Sequence, residues 1–136
     1  MPSFGTKSLM VRATLHPELQ RVVDEAIRYV DFSLIEGHRS NQTQQKYFDE
    51  GKSRAGPGES PHNDYPSNAF DFVPYPFSGV WSDEAAFASI AFFMRGIAEM
   101  MDIKIRWGGD WDRDGQRVSR DNDESFNDLP HIERWY

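Results

Sequence analysis

Two long segments repeat apolar residues at the spacing of one helix face. In the first segment, one such series is apolar throughout: Leu19, Val22, Val23, Ala26, Ile27 and Val30. This series predicts an amphipathic helix over 17–30, with Pro17 and Glu18 suited to its first turn. In the second segment, a similar apolar series follows Ser82, a residue type that caps helices, and extends to Met101. It predicts a long helix with a strongly apolar face.

Shorter patterns predict four strands. Phe32–Ile35 is apolar and runs into a turn, and in Ala69–Val73 two phenylalanines alternate with Asp71. The alternation places Asp71 on the face opposite that of the two phenylalanines beside it. Two further strands are predicted at Ile103–Trp107 and around His131–Trp135.

A third helix and two long polar segments complete the pattern. Asn41 and Gln44 resemble a capping box, and Gly51 is a natural end for the helix that they begin. Residues 52–68 are rich in proline, glycine and small polar residues and predict a loop, and residues 108–127 are polar and rich in aspartate. The order of elements predicts a single α+β domain over 1–136, a small, mainly antiparallel sheet with about three helices packed against it.

Composition and charge narrow the class of function. The 136 residues include 15 Lys plus Arg and 22 Asp plus Glu, which gives a net charge of −7. Because no basic block is present to neutralise phosphates, we expect no nucleic-acid partner. The chain has no cysteine, so any bound metal must use histidine and carboxylate ligands.

The sequence shows no pattern of a membrane or export segment. Its most apolar stretch, Ala85–Met94, is much shorter than the roughly 20 apolar residues that span a bilayer. The first residues lack a charged region followed by an apolar run and a cleavage site. We therefore expect synthesis in a cytoplasm and no membrane insertion.

Four polar segments are not explained by core building: Gly37-His38-Arg39-Ser40, Ser60-Pro61-His62, Gly108-Gly109-Asp110-Trp111 and Asp128-Leu129-Pro130-His131-Ile132-Glu133. A catalytic zinc site needs three protein ligands, an open position for water, and a carboxylate that takes a proton from that water. His62, Asp71 and His131 have suitable ligand types, and Asp128 lies three residues before one of them. Arg39 is the candidate cation for an oxyanion that develops on a peptide carbonyl.

Each of these residues also has an ordinary structural interpretation. His62 or His131 alone is more typical of a surface or capping residue than of a metal ligand. Asp71 can pair with Arg39, which can also bind loop carbonyls, and Asp128 can be a turn residue ahead of a proline. The combination of all the segments, in this order, favours metal chemistry.

The aspartate-rich segment raises a separate calcium hypothesis. Asp112, Asp114 and Gln116 alternate as at the start of a calcium loop, and Asp123 occupies its twelfth place. The glycine of such a loop is misplaced and two arginines interrupt the segment, so the sequence favours a solvated turn.

The polar segments together resemble one family of cell-wall peptidases. The matching blocks extend over nearly the whole chain: Pro17-Glu18-Leu19, Gly37-His38-Arg39-Ser40 with Gln44 and Gly51, Ser60-Pro61-His62, Ala69-Phe70-Asp71-Phe72-Val73-Pro74-Tyr75, Trp107-Gly108-Gly109-Asp110-Trp111 and Asp128-Leu129-Pro130-His131-Ile132-Glu133. They resemble the zinc D-alanyl-D-alanine carboxypeptidase and L-alanyl-D-glutamate endopeptidase family. Within that family the likeness is to short, single-domain phage endolysins.

The resemblance implies a zinc site in a surface cleft, with His62, Asp71 and His131 as the ligands. Many relatives place the first two of these ligands closer together in sequence than they are in this chain. We expect the extra residues within 63–68 to bulge out of the loop and leave the site intact. Asp64, inside that interval, is the alternative carboxylate ligand.

The same resemblance implies roles for three more residues. Asp128 would be the general base, and Arg39 would steady the substrate carbonyl and its oxyanion. Gln44 matches a polar family position near the site and is expected to contact substrate. An aspartate at 128, where some relatives have glutamate, fits the phage endopeptidase branch.

The implied function is hydrolysis of peptidoglycan stem peptides at the L-alanyl-D-glutamate bond by a monomeric, zinc-dependent phage or prophage endolysin. Such a protein would act on the cell wall after release through a separate membrane pore. Two alternatives stay open: a D-alanyl-D-alanine carboxypeptidase or dipeptidase, and a non-catalytic, zinc-dependent module that binds cell wall.

Overall fold

A computed structural model describes residues 2–115 and 127–135 of the chain. Within these residues the chain forms four α-helices, one short 3₁₀ helix and four strands. In chain order they are α1 (Thr6–Arg12), α2 (Pro17–Ala26), β1 (Phe32–Glu36), α3 (Asn41–Asp49), the 3₁₀ helix (Pro61–Asn63), β2 (Ala69–Pro74), α4 (Glu84–Met100), β3 (Ile105–Gly108) and β4 (Asp128–Arg134).

The four strands form one antiparallel sheet in the order β1-β2-β4-β3, which confirms the predicted α+β class. Phe70 and Phe72 of β2 are fully buried, and Phe70 lies opposite Ile132 of β4. The Phe72 ring meets the ring of Phe87 of α4 edge to face, with centroids 5.6 Å apart. One sheet face therefore packs into the core, and Asp71 points away from it, as the alternation predicts.

The predicted helices are present, with different ends and caps. Helix α2 ends at Ala26, four residues before the predicted end, and the chain continues in turns. The cap of α3 is Ser40 and not Asn41, because the Ser40 hydroxyl accepts from the Thr43 amide. Likewise Asp83, and not Ser82, caps α4.

Helix α1 was not predicted from the sequence. Leu9 and Met10 are largely exposed, so this short helix has no apolar series of the kind that marks α2. Val11 of this helix packs against the core, and the buried Ser8 hydroxyl attaches the helix to the sheet by accepting from the Leu34 amide at 3.1 Å. No helix in the described part of the chain is both long and apolar enough to cross a bilayer.

Strand β4 begins three residues earlier than predicted and is irregular beside β3. Trp107 pairs with Ile132, whereas the next residue of β3, Gly108, pairs with Asp128. In a regular strand, residues three apart point to opposite faces. The irregularity removes this restriction, and both Asp128 and His131 line the same cleft.

Gly108 allows this close approach of β3 and β4. A β-carbon at Gly108 would lie 2.1 Å from the backbone oxygen of Asp128, so Gly108→Ala should displace the start of β4. We expect the free energy of unfolding to fall by about 1–3 kcal/mol, as for other overpacked positions. Urea denaturation measures the change.

Gly96→Ala is the matched control. Gly96 lies inside α4 with no atom within 4 Å of an added β-carbon, so alanine should stabilise the helix by up to about 1 kcal/mol. Equal stability of the two variants would show that β4 tolerates a β-carbon at position 108.

Candidate active site

Three predicted ligand atoms converge in the structure: Nε2 of His62, Oδ1 of Asp71 and Nδ1 of His131. Nε2 of His62 lies 3.2 Å from each of the other two atoms, and Oδ1 of Asp71 lies 3.5 Å from Nδ1 of His131. A tetrahedral zinc ion with bonds of about 2.0–2.1 Å holds its ligand atoms about 3.3–3.4 Å apart. The triangle therefore has the dimensions of one face of a zinc site.

The fold positions these three side chains by two different means. Asp71 and His131 face each other directly across β2 and β4. His62 reaches the same point from the 3₁₀ helix, whose first turn is capped by the Ser60 hydroxyl. Its Nδ1 also lies 2.7 Å from the backbone oxygen of Gly37, which fixes the ring.

The hydrogen-bond partners determine which ring nitrogens carry protons. Nδ1 of His62 donates to the Gly37 oxygen, and Nε2 of His131 donates to Oε1 of Glu133 at 2.8 Å. In the neutral rings, the nitrogens that face Asp71 are then acceptors. Three acceptors this close need a shared proton or a cation between them, and imidazole with carboxylate is a donor set that suits zinc.

The pKa shifts within the ligand group also favour a positive charge between its three side chains. Burial opposes charge on His131, but hydrogen bonds to Asp71 and Glu133 outweigh it and raise the pKa of His131 to about 10. Burial also opposes charge on Asp71, yet the two histidines lower the pKa of its carboxyl well below the usual value. The group therefore attracts positive charge, and metal binding there would release a proton.

Asp128 lines the same cleft as the three ligand atoms. Burial, and then the negative charge of Asp71, raise the pKa of the Asp128 carboxyl, while His131, His62 and Arg39 partly offset the rise. A carboxylate with a raised pKa is a better proton acceptor, which suits a general base.

Arg39 is buried beside the ligand group and firmly held. Its Nε donates to Glu36 at 2.7 Å, its Nη1 donates to Gln44 at 2.7 Å, and its guanidinium lies over the Tyr47 ring. Nη2 is 3.9 Å from Oδ2 of Asp71, beyond hydrogen-bond distance. The main partner of Arg39 is therefore Glu36, and not Asp71.

Gln44 is fully buried and bonded on both sides. Its oxygen accepts from Arg39, and its nitrogen donates to the Ser53 hydroxyl at 2.8 Å and the Ala55 oxygen at 2.6 Å. These bonds join Arg39 to the cleft wall around residues 53–55. Contact of Gln44 with substrate stays a prediction.

Asp64 does not join the ligand group. It is exposed, and its carboxylate accepts from Asn68 at 2.8 Å. The neighbouring Tyr65 is 72% exposed, so this part of the loop bulges outward as expected. Asp71 is the carboxylate that meets the two histidines.

Two functional candidates escaped the sequence analysis. Glu36 ends β1, lies opposite Asp71 in the sheet, and binds both Arg39 and the Tyr47 hydroxyl. Glu133, two residues after His131, binds that histidine. The same-face spacing of 131 and 133 was the available signal for Glu133.

The ligand group opens into a cleft of about 990 Å³. Trp81 and Trp111 line it, together with the basic residues Lys52 and Arg54 on another stretch of wall. Trp81 is half-exposed and stacks on the core residue Phe87. The cleft thus offers both aromatic and cationic surface beside the ligand group.

The residues of the calcium hypothesis are only partly described. Asp112 and Asp114 lie close to the buried Asp110, whereas Gln116 and Asp123 are outside the described residues. Asp110 pairs with Arg95 and accepts from the amides of 114 and 115. Calcium binding stays a hypothesis.

Comparison with known proteins identifies the family. The model of the phage L-alanyl-D-glutamate peptidase family matches residues 2–134. The chain belongs to this family. A curated member, the L-alanyl-D-glutamate peptidase of Escherichia phage T5, is 31% identical over 116 residues, which cover 82% of this chain and 83% of the relative.

The chain also resembles a solved endopeptidase structure in its fold. The crystal structure of the L-Ala D-Glu endopeptidase ChiX of Serratia marcescens superposes with a TM-score of 0.77 at 28% identity. The match covers 98% of this chain and 91% of that one. The four-stranded antiparallel sheet that carries Asp71 and His131 is therefore part of a fold shared with an endopeptidase.

Proposed function

We propose that the protein is a zinc-dependent endopeptidase that hydrolyses the L-alanyl-D-glutamate bond of peptidoglycan stem peptides. The observation that carries the proposal is the triangle of His62, Asp71 and His131, which has the dimensions of a zinc site. It lies in a cleft with Asp128 and Arg39, in a chain of the phage L-alanyl-D-glutamate peptidase family.

His62, Asp71 and His131 would hold the zinc ion. When bound, zinc supplies an acidified water and polarises the scissile carbonyl. Two neutral imidazoles and one carboxylate would balance only one of the two charges of Zn²⁺. The zinc-loaded site would therefore keep a net positive charge that can stabilise the developing oxyanion.

Asp128 performs the proton transfers. As general base it accepts a proton from the attacking water, and it then returns that proton to the nitrogen of the leaving D-glutamate residue. The raised pKa of its carboxyl favours the first transfer, and the carboxylic acid so formed can carry out the second. One residue therefore acts at both stages.

Arg39 stabilises the oxyanion that develops on the carbonyl oxygen. Such preorganised donors act most strongly where they are fixed and poorly solvated. Arg39 meets both conditions, since it is 8% exposed and is held by Glu36, Gln44 and the Tyr47 ring.

The cleft wall supports an acidic peptide as substrate. Stem peptides carry carboxylates, and a chain with a net charge of −7 offers no general attraction to them. Beside the acidic residues of the site, the cleft wall carries Lys52 and Arg54, and these cations would attract the substrate carboxylates locally. We further propose that the protein acts as a monomeric endolysin on the host cell wall after release from the cytoplasm through a membrane pore.

Digestion of purified peptidoglycan tests the function directly. The protein is incubated with and without a chelator, and the fragments are identified by mass spectrometry. We expect new L-alanine C-termini and D-glutamate N-termini, lost with chelator and restored by zinc. Release of D-alanine would instead assign the protein to the carboxypeptidases, and zinc-dependent binding without cleavage would make it a wall-binding module.

A further inference from the structure

One face of the sheet carries a continuous row of interacting polar side chains. Asp71 of β2 lies opposite His131 of β4, Glu133 is the next residue of β4 on that face, and Arg106 of β3 lies opposite Glu133. The row begins in the ligand group and ends at Arg106. Sheet register alone brings the four residues together.

Both carboxylate oxygens of Glu133 are engaged. Oε1 accepts from Nε2 of His131 at 2.8 Å, and Oε2 accepts from Nη2 of Arg106 at 2.8 Å. The Glu133 side chain is only 13% exposed. Its carboxylate cannot rotate away from His131 without losing a charged hydrogen bond to Arg106.

Arg106 also supports the second contact of the His131 ring. The Trp111 ring packs against that ring with centroids 5.6 Å apart. The guanidinium of Arg106 lies 5.2 Å from the centroid of Trp111. Arg106 therefore touches both Glu133 and Trp111, the two side chains that contact the His131 ring outside the ligand triangle.

We propose that Glu133, held by Arg106, is a positioning residue that keeps the proton of His131 on Nε2 and so presents the Nδ1 lone pair to the metal. This inference rests on the proposed function. Hydrogen bonds of this kind orient metal-binding histidines, and their loss commonly weakens metal affinity by about 10- to 100-fold. A pair that only stabilised the sheet would affect unfolding and leave the metal unaffected.

The variant Glu133→Gln separates these two roles. Glutamine keeps the shape but offers one acceptor and one donor, whereas Arg106 and Nε2–H of His131 both need an acceptor. If the amide oxygen faces Arg106, the amide nitrogen faces His131 and favours the tautomer with its proton on Nδ1. That proton would occupy the atom needed for the metal.

Zinc affinity, measured by competition with a chromophoric chelator, is the first readout. We expect Glu133→Gln to bind zinc about 10- to 100-fold more weakly than the wild type. Arg106→Gln leaves Glu133 in place but unanchored and should give a smaller loss. Nuclear magnetic resonance of the zinc-loaded protein supplies a second readout, since the downfield Nε2–H proton of His131 should shift or disappear in Glu133→Gln.

Glu18→Gln is the matched control. Glu18 pairs with Arg134, also on β4, at 2.8 Å, so the variant removes a carboxylate–arginine pair from the same strand without touching His131. It should bind zinc as the wild type does. Melting temperatures of the metal-free proteins show that every variant is folded.

The outcomes distinguish this inference from the proposed function. Wild-type zinc affinity in folded Glu133→Gln, with an unchanged Nε2–H signal, would overturn the positioning role alone. An equal loss of affinity in Glu18→Gln would also overturn it, because the effect would then be general to β4. A wild-type protein that binds no zinc would overturn the proposed function as well.

Discussion

Replacement of Asp128 by asparagine is expected to lower kcat for L-alanyl-D-glutamate hydrolysis by about 10²- to 10⁴-fold, the usual contribution of general acid–base catalysis. Asparagine has nearly the same shape but cannot accept the proton of the attacking water. Asp128 does not belong to the ligand triangle, so zinc content should be unchanged. Kinetics on a defined stem peptide, together with metal analysis, measure both quantities.

The control for this substitution is Asp64→Asn. Asp64 is an exposed aspartate whose carboxylate binds Asn68 and lies outside the ligand group, so this variant should retain full activity. Near-wild-type turnover by Asp128→Asn would remove Asp128 from the role of base. Loss of zinc from that variant would show instead that Asp128 helps to hold the metal.

Replacement of His62 by alanine should abolish useful zinc binding. Removal of a ligand should weaken zinc affinity more than removal of a hydrogen-bond partner of a ligand, which weakens it by about 10- to 100-fold. At a free zinc concentration of about 100 times Kd, zinc binding raises the free energy of unfolding by about 2.7 kcal/mol. At the same zinc concentration, a site that binds 100-fold more weakly raises it by only about 0.4 kcal/mol. The zinc-dependent rise in melting temperature should therefore nearly vanish, along with activity.

This comparison of each protein with and without zinc is insensitive to the cavity that alanine leaves at the buried position of His62. The matched control is His38→Ala, since His38 is exposed and its Nδ1 meets the Asp64 backbone oxygen, away from the ligand triangle. His38→Ala should keep the zinc-dependent stabilisation. An equal zinc effect in His62→Ala and wild type would exclude His62 as a ligand.

The outer partners of the site show where inference from sequence stops. Pairing with Asp71 was one structural interpretation of Arg39, whereas its strongest partner in the structure is Glu36, at the end of β1. A turn ahead of a proline was the structural alternative for Asp128, yet this residue begins a strand, and the irregular pairing of β4 allows it to share the cleft with His131. The second fact depends on pairing between strands, which no local pattern encodes.

The sequence by itself determined the elements with a strong period and the available chemistry. The apolar series of α2 and α4 and the alternation of β2 fix which faces are buried, because burial of apolar surface is the dominant favourable term in folding. The absence of cysteine restricted a metal site to histidine and carboxylate.

Only the tertiary structure decided how that chemistry is assembled. His62 and His131 are separated by 69 positions, and their nitrogens approach to 3.2 Å because a 3₁₀ helix and two strands meet at one point. The proton on each ring is set by partners that the fold supplies, Gly37 and Glu133. A local pattern records which side chains are present, whereas strand register determines which atoms face each other.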